Sequence, residues 1–122
     1  MPHIDYYLST VSPNVYNAGL RLEELAAKHG ATIAYKPVDL ARILTEMGGT
    51  PLPQRHESRK AYRLQELARG ARLAGHPINL APRHFPTNPA PSAYAIIAAQ
   101  NAGGGDVGAL VHAIARACWA EE

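Results

Sequence analysis

Two short segments with the pattern of β-strands, separated by one segment of helical length, constrain this chain more than any other feature. Ile4–Leu8 is aromatic and β-branched, and Thr32–Tyr35 ends just before Pro37. Ser12-Pro13 is a typical helix start, because serine is a favoured N-cap and proline fits the first helical position. Gly30 is the expected end of that helix. Its apolar positions are Val15, Ala18, Leu22, Leu25 and Ala26. Strand, helix and strand in this order predict a right-handed βαβ unit with parallel strands.

The rest of the chain is predicted to be helical. The expected helices are a segment capped by Asp39 that ends at Met47, Ser58–Ala74 with Ala61, Leu64, Ala68 and Ala71 on one face, Ala93–Asn101 capped by Ser92, and a last helix capped by Asp106 that carries Val107 to Cys118. A proline-rich segment from Pro77 to Pro91 is expected to be an ordered loop. Parallel sheets normally have more than two strands. Either the helices therefore do nearly all the packing, or further strands follow Glu122.

Composition excludes several classes of protein. Apolar residues make up 47% of the chain and charged residues 18%, which excludes a strongly charged, disordered chain. The single cysteine, Cys118, excludes an internal disulfide and a multi-cysteine zinc site, and the six histidines have no metal-ligand spacing. No segment is apolar enough to span a membrane, and the first residues lack the features of a signal peptide. A cytoplasmic location is the resulting expectation.

The net charge of +2 suits an anionic small ligand and does not demand nucleic acid. The positive charge is concentrated in residues 54–84, where seven basic residues face two acidic ones. Few aromatic residues lie among them and no nucleic-acid motif is present, so binding of nucleic acid is not expected. A solvated helix face is the simpler interpretation for Arg59, Arg69 and Arg72.

A set of segments, found in order along nearly the whole chain, resembles one enzyme family. The segments are Ile4-Asp5-Tyr6-Tyr7, Ser12-Pro13, Arg21-Leu22, Lys36-Pro37-Val38-Asp39-Leu40, Gly49-Thr50-Pro51, Arg63-Leu64, His84-Phe85-Pro86-Thr87-Asn88 and Trp119. Together they are similar to the 2-hydroxychromene-2-carboxylate isomerases, glutathione-dependent enzymes of the DsbA-like, kappa-class glutathione transferase group. The resemblance implies an α/β fold, with a partial thioredoxin-like βαβ portion at residues 1–38 and a mainly helical inserted domain at residues 39–122. Family members continue to a Val-Pro segment and further strands, so the resemblance is to their N-terminal portion, with the C-terminal strands missing.

The resemblance assigns the catalytic role to Ser12. Unpaired N–H groups at a helix start favour negative charge, and a hydroxyl there can donate a hydrogen bond to the sulfur of glutathione and favour the thiolate. Relatives that exchange disulfides have a CxxC motif at this position, whereas this chain has Ser12-Pro13-Asn14-Val15. Direct disulfide exchange is therefore excluded. The alternative is that Ser12 is only an N-cap, and the two roles can coexist.

The resemblance also implies a group of substrate-binding residues. Arg55 corresponds to a family position near the substrate, and a planar guanidinium can bind a carboxylate through two hydrogen bonds. Gln54 precedes it where the family often has asparagine. Phe85 aligns with an aromatic residue that contacts the substrate ring, and it can contribute stacking only. Lys36 ends the second strand, which favours a position near Ser12 at the carboxyl ends of the strands, although it is equally well explained as a surface lysine.

Two further residues are accessory candidates, and two other sequence features have simpler structural explanations. The accessory residues are Arg42 and His84; His84 could transfer protons near neutral pH, or it could simply pack in its loop. Gly103-x-Gly105-x-x-Gly108 matches a dinucleotide fingerprint formally, but it follows a predicted helix and is better explained as a turn between helices. Cys118 is expected to be inert packing on the last helix.

The leading functional hypothesis is a glutathione-dependent isomerase that acts on an aromatic unsaturated keto acid. The expected ligands are glutathione and a small aromatic carboxylate, with no metal, no nucleic acid and no membrane. Two alternatives stay open, a kappa-like glutathione transferase and a non-catalytic module that buries its open sheet edge against a partner, for example as a homodimer.

Overall fold

The computed structural model describes all 122 residues, and its elements follow the predicted order. The strands and helices are β1 His3–Leu8, α1 Pro13–Ala18, α2 Arg21–Lys28, β2 Thr32–Pro37, α3 Leu40–Glu46, α4 Glu57–Ala74, α5 Ala90–Ala102 and α6 Val107–Arg116. A 3₁₀ turn spans Leu52–Gln54, and a π-helical segment, Ala117–Glu121, continues α6. This mixed α/β architecture, with a small parallel sheet followed by helices, confirms the predicted fold class. None of the helices combines the length and the apolar composition that crossing a bilayer requires.

The sheet has one covered face and one open face. β1 and β2 pair in parallel, with Tyr6 beside Tyr35 and Tyr7 beside Lys36. Because side chains alternate along a strand, Tyr6, Leu8 and Tyr35 point to one face, where Leu8 and Tyr35 are buried. Tyr7 lies on the opposite face and is 62% exposed. The helices of the chain therefore cover only one side of the sheet.

The helix predicted between the strands is two helices. α1 ends at Gly19, whose φ of 57° lies in the left-handed region that glycine adopts readily, and α2 starts at Arg21. A Cβ on Gly19 would lie 2.7 Å from Nε2 of His76, so the break brings the backbone close to a residue that follows α4. Leu25, predicted to face the core, is 56% exposed. Periodicity alone did not show this break, because the contact that accompanies it comes from a distant part of the sequence.

The buried face of α4 agrees with the predicted face at Ala71 but not at Ala61 or Leu64. Leu67 and Ala71 are buried, whereas Leu64 is 39% exposed and Ala61 is also exposed. α4 packs against α1 through the Leu67 and Ala71 face, and Asn17 of α1 donates a hydrogen bond to the Leu67 carbonyl at 3.3 Å. Two stripes of this helix have small or apolar residues, and the position of α1 decides which of them is buried.

Ser92 does not cap α5. The helix begins at Ala90, two residues before Ser92, because the side-chain oxygen of Asn88 accepts a hydrogen bond from the Ala90 N–H at 3.1 Å. The Ser92 hydroxyl instead contacts Oγ1 of Thr10 at 2.7 Å and the Pro89 carbonyl at 3.0 Å. Ser92 therefore ties α5 to the loop that follows β1.

Two clusters of buried side chains form the core. The first consists of Leu8, Tyr35, Ile96 and Val111, and it joins the covered face of the sheet to α5 and α6. The second consists of Tyr16, Ala115 and Trp119, and it joins α1 to α6 and the π-helical segment. Residues on both sides of position 38 share the first cluster. The division of the chain into two domains at that position stays a prediction.

Gln100 of α5 occupies the outer edge of β2. Its side-chain oxygen accepts a hydrogen bond from the Tyr35 N–H at 2.8 Å, and its NH₂ group donates to the Tyr35 carbonyl at 3.0 Å. These are the bonds that another strand would make at this edge. The amide thus satisfies two backbone groups that would otherwise be unpaired.

Replacing Gln100 with methionine should lower the free energy of unfolding by about 1–3 kcal/mol. The side chain keeps a similar length but loses the amide, so the Tyr35 N–H and carbonyl lose their partners. Urea denaturation measures the change. Asn101→Ala is the matched control, because Asn101 is the exposed neighbouring amide, and it should change stability by less than about 0.5 kcal/mol. Equal effects of the two changes would contradict the edge role.

His112 should make stability depend on pH. Its ring lies parallel to that of Tyr16, with centroids 6.1 Å apart, and 5.6 Å from the ring of His76. Burial lowers the pKa of His112, and the charges of His76 and Arg116 lower it further, against an opposing effect of Glu23. The unfolded chain therefore binds a proton at a higher pH than the native state does. Stability should fall as the pH drops below about 6.5 towards the native pKa.

Thermal unfolding between pH 7.5 and pH 5, in steps of about half a pH unit, measures this dependence. His112→Asn should flatten the loss of stability over that range. His84→Gln is the control, because His84 is exposed and its loss should leave the profile as it is. An unchanged profile for His112→Asn would rule out His112 as its source.

Candidate functional site

A cleft of about 390 Å³ lies beyond the carboxyl ends of the two strands, and we call it the Ser12 cleft. One wall is the loop after β1 with the start of α1, including Ser12. The opposite wall consists of α3 and the turn from Thr50 to Arg55, and Arg63 of α4 and Phe85 complete the lining. Ligands of open α/β sheets gather at this end of the strands, because the loops there diverge and leave a crevice.

Ser12 is the N-cap of α1. Its Oγ accepts a hydrogen bond from the Asn14 N–H at 3.2 Å, and its own N–H donates to the Ser9 carbonyl at 3.2 Å. An accepting hydroxyl keeps its proton free, so Ser12 can cap the helix and still donate a hydrogen bond into the cleft. The sequence predicted one long helix after Ser12, whose dipole would favour a bound negative charge. The observed helix α1 has only six residues. Local N–H groups rather than a long helix dipole are what this turn offers to a negative charge.

Two arginines bring positive charge to the cleft. Nε of Arg55 donates to the Thr50 carbonyl at 3.0 Å, which fixes that guanidinium on the turn before α4. Arg63 approaches from α4, and burial together with the charge of Arg55 lowers its pKa. Neither guanidinium has a carboxylate within ion-pairing distance. Two neighbouring cations without counterions are unfavourable by themselves and attract an anion.

Phe85 supplies an aromatic surface beside these charges. Its ring centroid lies 5.9 Å from the central guanidinium carbon of Arg63 and 4.9 Å from the Trp119 ring. The first contact is a cation–π interaction, which orients Arg63 as well as stabilising it. The Ser12 cleft therefore combines a hydroxyl donor, two cations and an aromatic ring.

A second cleft adjoins the first. Its volume is about 430 Å³, and Pro13, Asn14, Arg55 and Arg63 line both clefts. Arg59 and Tyr62 add a third arginine and an exposed aromatic ring, with Glu66 as its acidic residue. The start of α4 is therefore electropositive on the side that faces α1.

The other predicted site residues lie outside the lining of the Ser12 cleft. Nζ of Lys36 forms an ion pair with Asp5 at 3.0 Å on the open face of the sheet and lies 5.4 Å from the centroid of the Tyr7 ring. The hydrogen bond to Asp5 raises the pKa of Lys36, because it stabilises the charged form. Because side chains alternate along a strand, the position of Lys36 in β2 places it on the same face as Asp5 and Tyr7. The assignment of Lys36 to the site stays a prediction.

Gln54, Arg42 and His84 are close to the Ser12 cleft in sequence but are not part of its lining. Gln54 ends the 3₁₀ turn and is exposed. Arg42 is paired with Glu46 along α3, at 2.9 Å. His84 is exposed next to Phe85. The assignment of these three residues to the site stays a prediction.

Arg63 is the functional candidate to which the sequence analysis gave no role. It lies four residues before Leu67 and eight before Ala71, so it belongs to the buried stripe of α4. A charged residue at the end of a buried stripe was the signal that could have identified it. The helical periodicity favours the stripe of Ala61, Leu64 and Ala68, which does not include Arg63.

Comparisons with known proteins agree with this fold. Residues 3–122 match the family model of the DsbA-like thioredoxin domain. Over 76 residues the chain is 37% identical to a 2-hydroxychromene-2-carboxylate isomerase from Pseudomonas putida, an alignment that covers 62% of this chain and 37% of that protein. It is also similar to a solved 2-hydroxychromene-2-carboxylate isomerase, with a TM-score of 0.68 and 31% identity over 97% of this chain. The aligned region is 57% of the solved chain's length.

Proposed function

The chain belongs to the family of DsbA-like thioredoxin domains, and from that premise we propose that it carries the thiol site of a glutathione-dependent isomerase. The substrate would be an aromatic unsaturated keto acid such as 2-hydroxychromene-2-carboxylate. The observation that carries the proposal is that Ser12, two arginines without counterions and Phe85 line one cleft. The similarity to isomerases with that substrate in their names supports it.

The residues of the Ser12 cleft fit a thiol peptide. The Ser12 hydroxyl has a free proton for the sulfur, because its oxygen already accepts from Asn14. Bound glutathione would supply a thiolate that adds reversibly to the conjugated double bond, so that the substrate can rotate about that bond before the thiol is eliminated. Ser12 would favour the thiolate over the thiol by donating this hydrogen bond.

Arg55 and Arg63 would hold the substrate carboxylate. A guanidinium can bind a carboxylate through two parallel hydrogen bonds, which fixes its orientation as well as its position. Phe85 lies beside Arg63 and would stack on the aromatic ring of the same substrate. With both ends of the substrate held, rotation would be confined to the bond between them.

Changing Ser12 tests the thiol site. Ser12→Asp keeps an N-cap of similar strength, so the helix should stay intact, but its negative charge should repel a thiolate. Ser12→Ala removes both the cap and the hydroxyl. Both variants should lower the affinity for glutathione by about tenfold to a hundredfold. Isothermal titration with glutathione measures the affinity. Thermal unfolding measures the change in stability that follows from loss of the cap.

Two results would contradict this assignment. Equal affinity of the wild type and both variants would show that Ser12 has a capping role only. Absence of glutathione binding by the wild-type chain would remove the thiol site from this portion of the fold. A kappa-like glutathione transferase is a closely related alternative, and assays with a keto acid against an electrophilic acceptor would separate the two.

The open edge of β1 favours a second candidate function, that of an assembly module. Thr32 and Val38 donate to the carbonyls of Pro2 and Leu8, so alternate residues of β1 bond to β2. The backbone groups of Asp5 and Tyr7 consequently face away from β2, and an edge of this kind can pair with another strand. Size-exclusion chromatography with light scattering tests this alternative. An obligate dimer without affinity for glutathione would support it over the enzyme.

A further inference from the structure

Trp119 connects the end of the chain to the turn that presents Ser12. It is the single tryptophan of the chain, it is fully buried, and its indole N–H donates to the Val11 carbonyl at 3.2 Å. Val11 immediately precedes Ser12. The donor and the acceptor are 108 positions apart in the sequence, so this bond is purely tertiary.

The same side chain supports Phe85, which completes the lining of the Ser12 cleft. The rings of Trp119 and Phe85 have centroids 4.9 Å apart at an interplanar angle of 47°, and Arg63 lies over the Phe85 ring. Trp119 thus contacts Phe85 through its ring and the Ser12 turn through its N–H. Both contacts come from one rigid bicyclic side chain.

A π-helical turn directs Trp119 to this position. Val111 and Ala115 form the buried stripe of α6, and Trp119 continues it after another four residues. In an α-helix each step of four residues rotates about 40° beyond a full turn, so the stripe drifts. The wider π-helical turn of Ala117–Glu121 reverses that drift and returns Trp119 to the same face. The Trp119 carbonyl is held as well, because it accepts a hydrogen bond from the Asn79 N–H at 2.7 Å.

The turn that leads from β1 to Ser12 has few other hydrogen bonds to distant elements. Thr10 is bonded to Ser92 of α5, two residues before Ser12. The remaining bonds at Ser12 are to Ser9, Asn14 and Tyr16, within the turn and the first turn of α1. The bond from Trp119 is thus the one that ties the residue next to Ser12 to a distant, buried element.

We propose that Trp119 is a positioning residue of the Ser12 cleft, which fixes the direction of the Ser12 hydroxyl through the Val11 carbonyl and holds the Phe85 ring by contact. This inference rests on the proposed thiol site for its functional consequence. A bound thiolate needs a hydroxyl that is aimed before binding, since each degree of freedom frozen on binding lowers affinity. Loss of the N–H should therefore weaken thiol binding even when the shape of the core is kept.

The test replaces the indole N–H without changing the shape of the side chain. Trp119→3-benzothienylalanine substitutes sulfur for the N–H, and replacing every tryptophan changes only this position because the chain has one. Trp119→Phe is the genetically encoded companion variant. Glutathione affinity should fall about tenfold in the benzothienyl variant, and the pKa of the bound thiol, followed by thiolate absorbance, should rise. Affinity for S-methylglutathione, which has no ionisable thiol, should change by less than about threefold.

Amide hydrogen exchange separates this inference from the proposed function. The Ser12 and Asn14 amides should exchange about tenfold faster in the benzothienyl variant, whether or not glutathione binds. The Ala31 amide, bonded to Ala26 at 2.8 Å in another part of the fold, should be unchanged. Unchanged exchange at Ser12 and Asn14 would overturn the positioning role. Faster exchange in a chain that does not bind glutathione would keep that role and refute the thiol site.

Discussion

Replacing Arg63 with methionine should lower the affinity for an aromatic carboxylate by about tenfold to a hundredfold, the range expected for one hydrogen-bonded charge pair. The same change should leave stability unchanged or raise it. Arg63 is half-buried beside Arg55, and this environment lowers its pKa because it disfavours the charged form. Removing the charge relieves the cost of burial and the repulsion from Arg55, and these gains should offset the lost cation–π contact with Phe85. A residue that binds substrate should therefore show opposite effects on affinity and stability.

Titration with 2-hydroxycinnamate, an aromatic unsaturated acid, measures the affinity, and urea denaturation measures the stability. Arg69→Met is the matched control. Arg69 lies on the same helix and carries the same charge, but it contacts Gln65 and lines neither cleft. Equal affinity losses in the two variants would show that general positive charge, rather than the Ser12 cleft, binds the acid. A loss of stability in Arg63→Met would show that Arg63 supports the fold.

Replacing Ile96 with alanine should lower the free energy of unfolding by about 2–5 kcal/mol. Ile96 is fully buried between the covered face of the sheet and α6, where it contacts the cluster of Leu8, Tyr35 and Val111. Only 14 of the 122 residues are buried, so each core side chain contributes a large share of the stability. Since small domains are stable by about 5–15 kcal/mol, this one change should shift the denaturation midpoint strongly.

Ile97→Ala is the matched control for the core. It is the next residue of α5 and makes the same chemical change, but its side chain is 39% exposed. Its loss should lower stability by less than about 1 kcal/mol, because part of the side chain is already in water and alanine favours the helix. Guanidinium denaturation of both variants gives the comparison. Similar losses at the two positions would mean that α5 packs on the sheet through a different face.

The fold was predictable where the signals are local. Both strands, the proline at the start of α1 and the aspartate caps of α3 and α6 follow from residues within a few positions of one another. The hydrogen bonds of the two aspartate caps link residues three apart, so the sequence contains both partners in one short segment. For the strands, the local signal is the run of aromatic and β-branched residues. The same holds for the placement of Ser12 at a helix start.

The errors have two causes, contacts with distant residues and one competing local turn. The helix break at Gly19, the start of α5 and the buried face of α4 all depend on neighbours distant in sequence or on a competing turn. His76 lies against Gly19, and Thr10 takes the Ser92 hydroxyl that was expected to cap a helix. Helical periodicity describes one helix at a time and cannot tell which of two stripes faces a partner.

The features of the candidate site also separate into those that adjacent residues determine and those that tertiary contacts determine. The sequence determined the βαβ unit, its Ser12-Pro13 turn and the resemblance to a family, because strand patterns, caps and ordered motifs are properties of adjacent residues. Only the tertiary structure placed Arg63 over Phe85, bonded Trp119 to Val11 and used Gln100 as the edge partner of β2. These contacts join residues that no local preference brings together. They form when burial of a shared core fixes several elements at once, and they decided which of the candidate side chains surround one cleft.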